Sequence, residues 1–224
     1  MPSSRLLPVC LASLLSTAGA LAAPVNLLAN GSFENGLAGW STAGSGAATV
    51  TYGSTSNGAF GEAVRADGLA GPSPDAAGQK AAYFSNDYAL NAKIGQTLSL
   101  SAGTYRFGFD AYAPANGMGN PVDASFALVF AGTRLGGSAV SSLPTAAWVQ
   151  YAGTVNIAAA GNYALDFVFN APGGGYAKDL AIDRLYVIAA NAVAARSTVP
   201  EPASIALVLL GIAGIAAIHR RRDR

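Results

Sequence analysis

With 224 residues the chain has room for one ordinary domain or two small ones. Apolar residues make up 51% of it and charged residues only 11%, but two hydrophobic ends and many alanines inflate the apolar share. Between Ala23 and Val199 there are 8 Lys and Arg against 10 Asp and Glu, so this part carries no basic stripe and a nucleic-acid partner is excluded.

The first 22 residues read as a secretory signal peptide. Arg5 supplies the positive start, Leu6 to Leu15 the short apolar stretch, and Ala20-Leu21-Ala22 the small-residue cleavage pattern. Cys10 lies inside it, and Leu7-Pro8-Val9 lacks the small residue expected before a lipid-attachment cysteine. Cleavage leaves a mature chain without cysteine, hence without disulfides or thiol chemistry.

From residue 23 to 188 no internal repeat and no sustained helical period appears; alternation dominates. The predicted strands are Ala47–Tyr52, Ala81–Ser85, Thr97–Leu100, Thr104–Tyr112, Ser125–Phe130, Trp148–Val155, Tyr163–Phe169 and Leu180–Ile188. Tyr105, Phe107 and Phe109 share one face, as do Phe126, Leu128 and Phe130, and Tyr163, Leu165, Phe167 and Phe169. Period two with aromatics on one side marks strands with one buried face. Asn-Gly pairs at Asn30, Asn35, Asn57 and Asn116 suit positive-φ turn positions. Longer loops fall at Asp67–Gln79, Pro114–Pro121 and Ala171–Lys178, all rich in Gly, Pro or Asn. About eight to ten short strands so connected predict an all-β sandwich, a jelly roll. Residues 189–198 read as a linker.

Two local patterns carry a resemblance. Asn26-Leu27-Leu28-Ala29-Asn30-Gly31-Ser32-Phe33-Glu34-Asn35-Gly36 opens the domain, with Trp40 close behind, and Ile182-Asp183-Arg184-Leu185-Tyr186-Val187 closes it. The pairing resembles galactose-binding-like jelly rolls, including many carbohydrate-binding modules. The resemblance implies a structural calcium between the chain ends, with Glu34 and Asp183 as the matching ligands. Plain alternation places Asp183 on the face of Leu185 and Val187, where a carboxylate needs a metal or an ionic partner; Arg184 and Lys178 are the partners at hand.

For a sugar ligand the candidates are Tyr112, which lies opposite the Tyr105/Phe107/Phe109 face and is expected to be exposed, and Tyr176 beside Gly173-Gly174-Gly175. Arg106 and Asp110 share the Tyr112 face and could read hydroxyls; an ordinary polar outer face accounts for the same residues. Trp40 and Trp148 are assigned to packing. The glycine run is followed by no helix pattern and is no phosphate loop. The single histidine, His219, stands in the tail, which removes His-based triads and His-ligated zinc from the domain, and no carboxylate pair stands out by spacing. The chain reads as non-enzymatic.

The tail begins Val199-Pro200-Glu201-Pro202. Sixteen residues follow, Ala203 to Ile218, in which only Ser204 is polar, and then the basic cluster Arg220, Arg221, Arg222 and Arg224. A helix over residues 203–218 spans roughly 24 Å at ~1.5 Å per residue, slightly short of a ~30 Å hydrocarbon layer unless arginines snorkel. Positive charge stays cytoplasmic, so the domain is expected outside the inner membrane. The prolines hold the chain extended and stop the helix from running upward. Residues 199–224 closely resemble the PEP-CTERM sorting signal of Gram-negative bacteria. That resemblance implies processing by exosortase, a membrane-held protease or transpeptidase, and delivery to the cell surface or matrix, where exopolysaccharide or a cell-surface glycan is the expected partner in a biofilm setting. A permanent anchor, and a structural or adhesive protein without glycan ligand, are the alternatives.

Overall fold

The computed structural model describes residues 24–44, 47–55, 63–85, 92–173 and 175–190, which belong to one compact unit, Ala23–Val193. The leader at 1–22, the turn at Asn57, most of the linker and the tail at 199–224 lie outside the described residues. Among the described residues no helix is long and apolar enough to cross a membrane, and the span at 203–218 is not among them.

Ten strands form two antiparallel five-stranded sheets, a β-sandwich. They are β1 (Ser41–Ala43), β2 (Ala47–Thr51), β3 (Lys80–Phe84), β4 (Ala92–Leu100), β5 (Gly103–Tyr112), β6 (Ser125–Phe130), β7 (Thr133–Ala139), β8 (Trp148–Ile157), β9 (Gly161–Asn170) and β10 (Leu180–Ala189). The first sheet runs β1-β4-β9-β6-β7 and the second β2-β3-β10-β5-β8. The alternating aromatics account for the core. Phe126, Leu128, Phe130, Leu165, Phe167 and Phe169 of the first sheet meet Phe84, Tyr105, Phe107, Phe109 and Ile182 of the second. Rings cross the gap, Phe84 to Phe167 at 5.3 Å, Phe107 to Phe130 at 5.4 Å and Phe109 to Phe167 at 5.2 Å, in the tilted and edge-on arrangements that aromatic quadrupoles favour. All these partners lie within the one unit, Ala23–Val193.

The opening segment is sewn to β10. Asn26 Oδ1 accepts the Val187 amide at 3.0 Å and its Nδ2 donates to the Leu185 carbonyl at 2.9 Å. Gly31 passes so close to that carbonyl that any Cβ there would collide with it. Asn30 (φ 53) and Gly36 (φ 64) take the positive-φ positions their Asn-Gly pairs suggest, and Trp40 packs on Phe33 at 5.4 Å while its Nε1 donates to the Asn30 carbonyl. Asn116-Gly117 behaves differently, lying in a short helix α1 (Ala115–Met118), where Gly117 is required by the approach of Asp179.

The second sheet is covered on both faces. Its outer side carries a smaller apolar cluster of Val50, Ala81, Tyr83, Tyr112 and Ala181, closed by Val64 from the segment 63–79. Trp148 Nε1 donates to the Arg65 carbonyl at 2.8 Å and fastens that segment down.

Candidate functional site

Three places carry polar chemistry. The first is under the segment 63–79, on the outer face of the second sheet. Register pairs Asp183 of β10 with Asp110 of β5, so the two carboxylates are side by side. Plain alternation would have placed Asp183 with Leu185 and Val187. A bulge between Asp183 and Tyr186, with Arg184 at φ 49, shifts the phase, so Asp183 faces outward while Leu185 and Val187 return to the core. Arg184 turns its guanidinium between Asp110 (Nε to Oδ2, 2.7 Å) and Asp67 (Nε to Oδ2, 2.9 Å). Asp183 accepts hydrogen bonds from the Tyr52 hydroxyl and the Arg184 amide. All four charged side chains are buried.

One guanidinium among three buried carboxyls leaves negative charge in excess, and Asp183 and Asp110 hold their protons to higher pH than ordinary carboxyls do. Burial pushes Asp183 up to about 8, against the opposing pull of Tyr52 and the Arg184 amide. Asp110 is raised to about 7, by burial first and then by its hydrogen bond and charge contact with Asp67, with Arg184 pulling the other way. Tyr52 is held far above the usual phenol range by burial and by the Asp183 charge.

Two of the sugar candidates are corrected by this arrangement. Tyr112 does lie opposite the core face, but it is 1% exposed, packed on Trp148 at 5.1 Å beneath the covering segment. Asp110 is buried and ion-paired. Neither is available to a surface ligand. Arg106 is exposed farther along β5, away from them.

The second place is the groove of about 480 Å³ along the opening segment, with Glu34 and Asp75 among its walls. Glu34 Oε1 accepts the amides of Gln79 (2.7 Å) and Lys80 (2.8 Å), and Asp75 accepts from Asn26 at 2.6 Å. Among the described residues no three His, Cys, Asp or Glu groups are grouped to hold a metal ion. Glu34 and Asp183 have separate protein partners; calcium held by both would have to displace backbone amides from one and Tyr52 from the other.

The third place is the outer face of the first sheet. Lys93 and Asp166 pair there at 3.3 Å. At one end, where Ser125 of β6 faces Asn170 of β9, a cavity of about 230 Å³ is lined by Ser125, Phe126, Arg134, Val168 and Asn170. The loop leaving Asn170 carries Tyr176, 68% exposed and the one exposed large aromatic among the described residues. Its backbone is nonetheless fixed: the Val122 amide donates to the Tyr176 carbonyl at 3.1 Å and the Lys178 amide to the Val122 carbonyl at 2.9 Å. Val122 lies just ahead of β6, so Tyr176 belongs to the same end of the sheet as the cavity. Sequence reasoning expected Tyr176 to be exposed, which it is, and did not name Arg134, Ser125 or Asn170. The outward parity of β6 and β9 was the signal that could have found the last two.

Residues 198–222 match the PEP-CTERM protein-sorting motif, so the chain carries a sorting signal at its tail. No curated protein matches it. Among solved structures it is similar to TmCBM61 in complex with β-1,4-galactotriose (18% identity, TM-score 0.48, 74% of this chain and 99% of that one). It is also similar to a family 16 carbohydrate-binding module (17%, TM-score 0.45, 72% and 99%) and to the C-terminal family 22 carbohydrate-binding module of Clostridium thermocellum Xyn10B (15%, TM-score 0.42, 72% and 92%). These are likenesses of overall architecture at low identity.

Proposed function

We propose that this is a non-enzymatic exported protein, processed by exosortase and delivered to the surface or extracellular matrix of a Gram-negative bacterium, whose jelly-roll sandwich binds carbohydrate there. The sorting motif at 198–222 supports the destination. The glycan reading is carried by one observation, the exposed Tyr176, its backbone hydrogen-bonded to Val122, at the same end of the sheet as the Ser125–Asn170 cavity. A flat ring supplies a stacking surface, and Ser, Asn and Arg side chains supply hydroxyl-reading groups. Against catalysis stand the location of His219 and Cys10 outside the folded unit and the engagement of Asp67 and Asp110 with Arg184.

The test is binding of the compact Ala23–Val193 unit to the producing organism's exopolysaccharide, with calcium and then with excess chelator. Saturable binding supports the reading, and loss of binding together with thermal stability on chelation supports calcium at Glu34 and Asp183. Binding that survives chelation keeps the sugar and removes the metal. Absence of binding in both conditions overturns the carbohydrate reading.

A further inference from the structure

Arg134 belongs to β7 and in register stands opposite Val129, away from the Ser125–Asn170 end. Arg134 nevertheless lines the cavity there, with its guanidinium lying back against Gly137. The cause is a pair of glycines. Gly136 (φ 78) and Gly137 (φ 99) form the irregularity at which the β6–β7 register slips between Ser125 and Ala127. A Cβ at Gly137 would stand 2.6 Å from Arg134 Nε and 3.0 Å from Nη2, so the missing side chain is what lets the guanidinium lie back along the strand. The bulge thus aims a cation at a cavity that its own register would not reach.

Among the described residues that cation has no ion-pair partner: the ion pairs there are Lys93 with Asp166, and Arg184 with Asp67 and Asp110. The neighbouring acid, Asp123, is occupied by the Ser141 hydroxyl and amide. The wall residues Ser125 and Asn170 add a hydroxyl and an amide. A guanidinium offers two parallel donors, a geometry that fits a carboxylate in bidentate fashion. At about 230 Å³ the cavity is smaller than the ~300 Å³ where drug-sized pockets begin, which suits one ring of a longer chain.

We infer that this cavity is a subsite for a carboxylate-bearing sugar, a uronic acid unit within a polysaccharide, with Arg134 holding the carboxylate. The inference rests on the carbohydrate reading above and adds the class of sugar.

The test uses polygalacturonate and the same polymer with its carboxyl groups reduced, with chelator present, binding to the Ala23–Val193 unit being read by affinity electrophoresis and calorimetry. The acidic polymer is expected to bind at least tenfold more tightly, with the advantage shrinking as salt is raised. Arg134→Ala, at an exposed position, is expected to keep the melting temperature and lose the advantage, and Arg134→Lys to keep part of it. Ser125→Asp, which supplies the guanidinium with an internal carboxylate, is expected to lose it as well. Equal binding to the two polymers overturns the uronate inference and leaves the carbohydrate reading in place. Binding to neither polymer also overturns the uronate inference, and the carbohydrate reading then stands or falls on the exopolysaccharide measurement above. A preference that survives in Arg134→Ala overturns the role given to Arg134.

Discussion

Asp183 and Asp110 carry raised pKa values, about 8 and about 7, and burial is the first cause of each. An unfolded carboxyl titrates near ~4, so between pH ~4 and ~8 the folded chain binds more protons than the unfolded one. Stability is therefore full below the unfolded value and is lost as pH rises through the folded ones. Each group contributes at most about 1.4 kcal/mol per pH unit inside that window. For a domain of this size that corresponds to roughly 2–5 °C in Tm per unit. Calorimetry of the Ala23–Val193 unit from pH 5 to 9 is expected to show Tm falling up to about pH 8 and levelling off above it, and Asp183→Asn to flatten the slope. A Tm that rises across this range contradicts the buried-acid account. Tyr52→Phe removes the hydroxyl that donates to Asp183 Oδ2 and leaves a buried acceptor short of a partner, for an expected loss of ~1–3 kcal/mol in denaturant unfolding. A neutral Tyr52→Phe would show that the bond contributes nothing net.

At the scale of elements, the glycines of the central strands test the packing. A Cβ on Gly108 of β5 would run into the Tyr151 carbonyl of β8 and stand 2.8 Å from the Tyr186 ring, with backbone on one side that cannot yield. Gly108→Ala is expected to destabilise by more than ~3 kcal/mol. Gly68→Ala, with nothing within 4 Å of the new carbon, should stay within about 0.5 kcal/mol in the same unfolding measurement. Equal effects would mean that β5 and β8 are not paired as described. The most legible strands were the three whose aromatics alternate, Thr104–Tyr112, Ser125–Phe130 and Tyr163–Phe169, and β6 matches its expected bounds, Ser125–Phe130. The two missed strands lack that signal. Ser41–Ala43 is short and exposed throughout, and Thr133–Ala139 is broken by Gly136-Gly137. The same kind of interruption misled the reading of Asp183, since one bulged residue inverts every later parity. Tyr112 was misjudged for another reason. Alternation says which face a side chain takes, but whether a distant segment such as 63–79 lies over that face is a tertiary fact. The buried Asp67–Arg184–Asp110 cluster has no local pattern at all, because its members meet only after that segment folds across the sheet.

For the whole molecule the question is how a sandwich domain and a sorting tail divide the work. β10 ends at Ala189 with the Ala190 amide bonded to Thr104, whereas the match to the sorting motif begins at residue 198. Every described strand therefore precedes the motif in sequence, and cutting near Pro200-Glu201-Pro202 would leave all of them in the released part. The prolines should matter through the backbone: if residues 203–218 form the expected helix, two residues without amide donors would stop it from running upward and leave the motif extended for a protease. Replacing Pro200 and Pro202 together by Ala removes that interruption while leaving Glu201 and the arginines in place. In a Gram-negative host with an exosortase, the unaltered chain is expected at the cell surface in a shortened form. The double variant should be retained at greater length in the membrane fraction, with an unchanged melting temperature for the sandwich. Fractionation with immunodetection, and mass spectrometry of the released C-terminus, read both outcomes. If the variant is shortened and exported like the parent, the prolines are not what presents the site. If the parent itself stays uncut in the membrane, the motif acts here as a permanent anchor, and the domain meets its ligand while tethered.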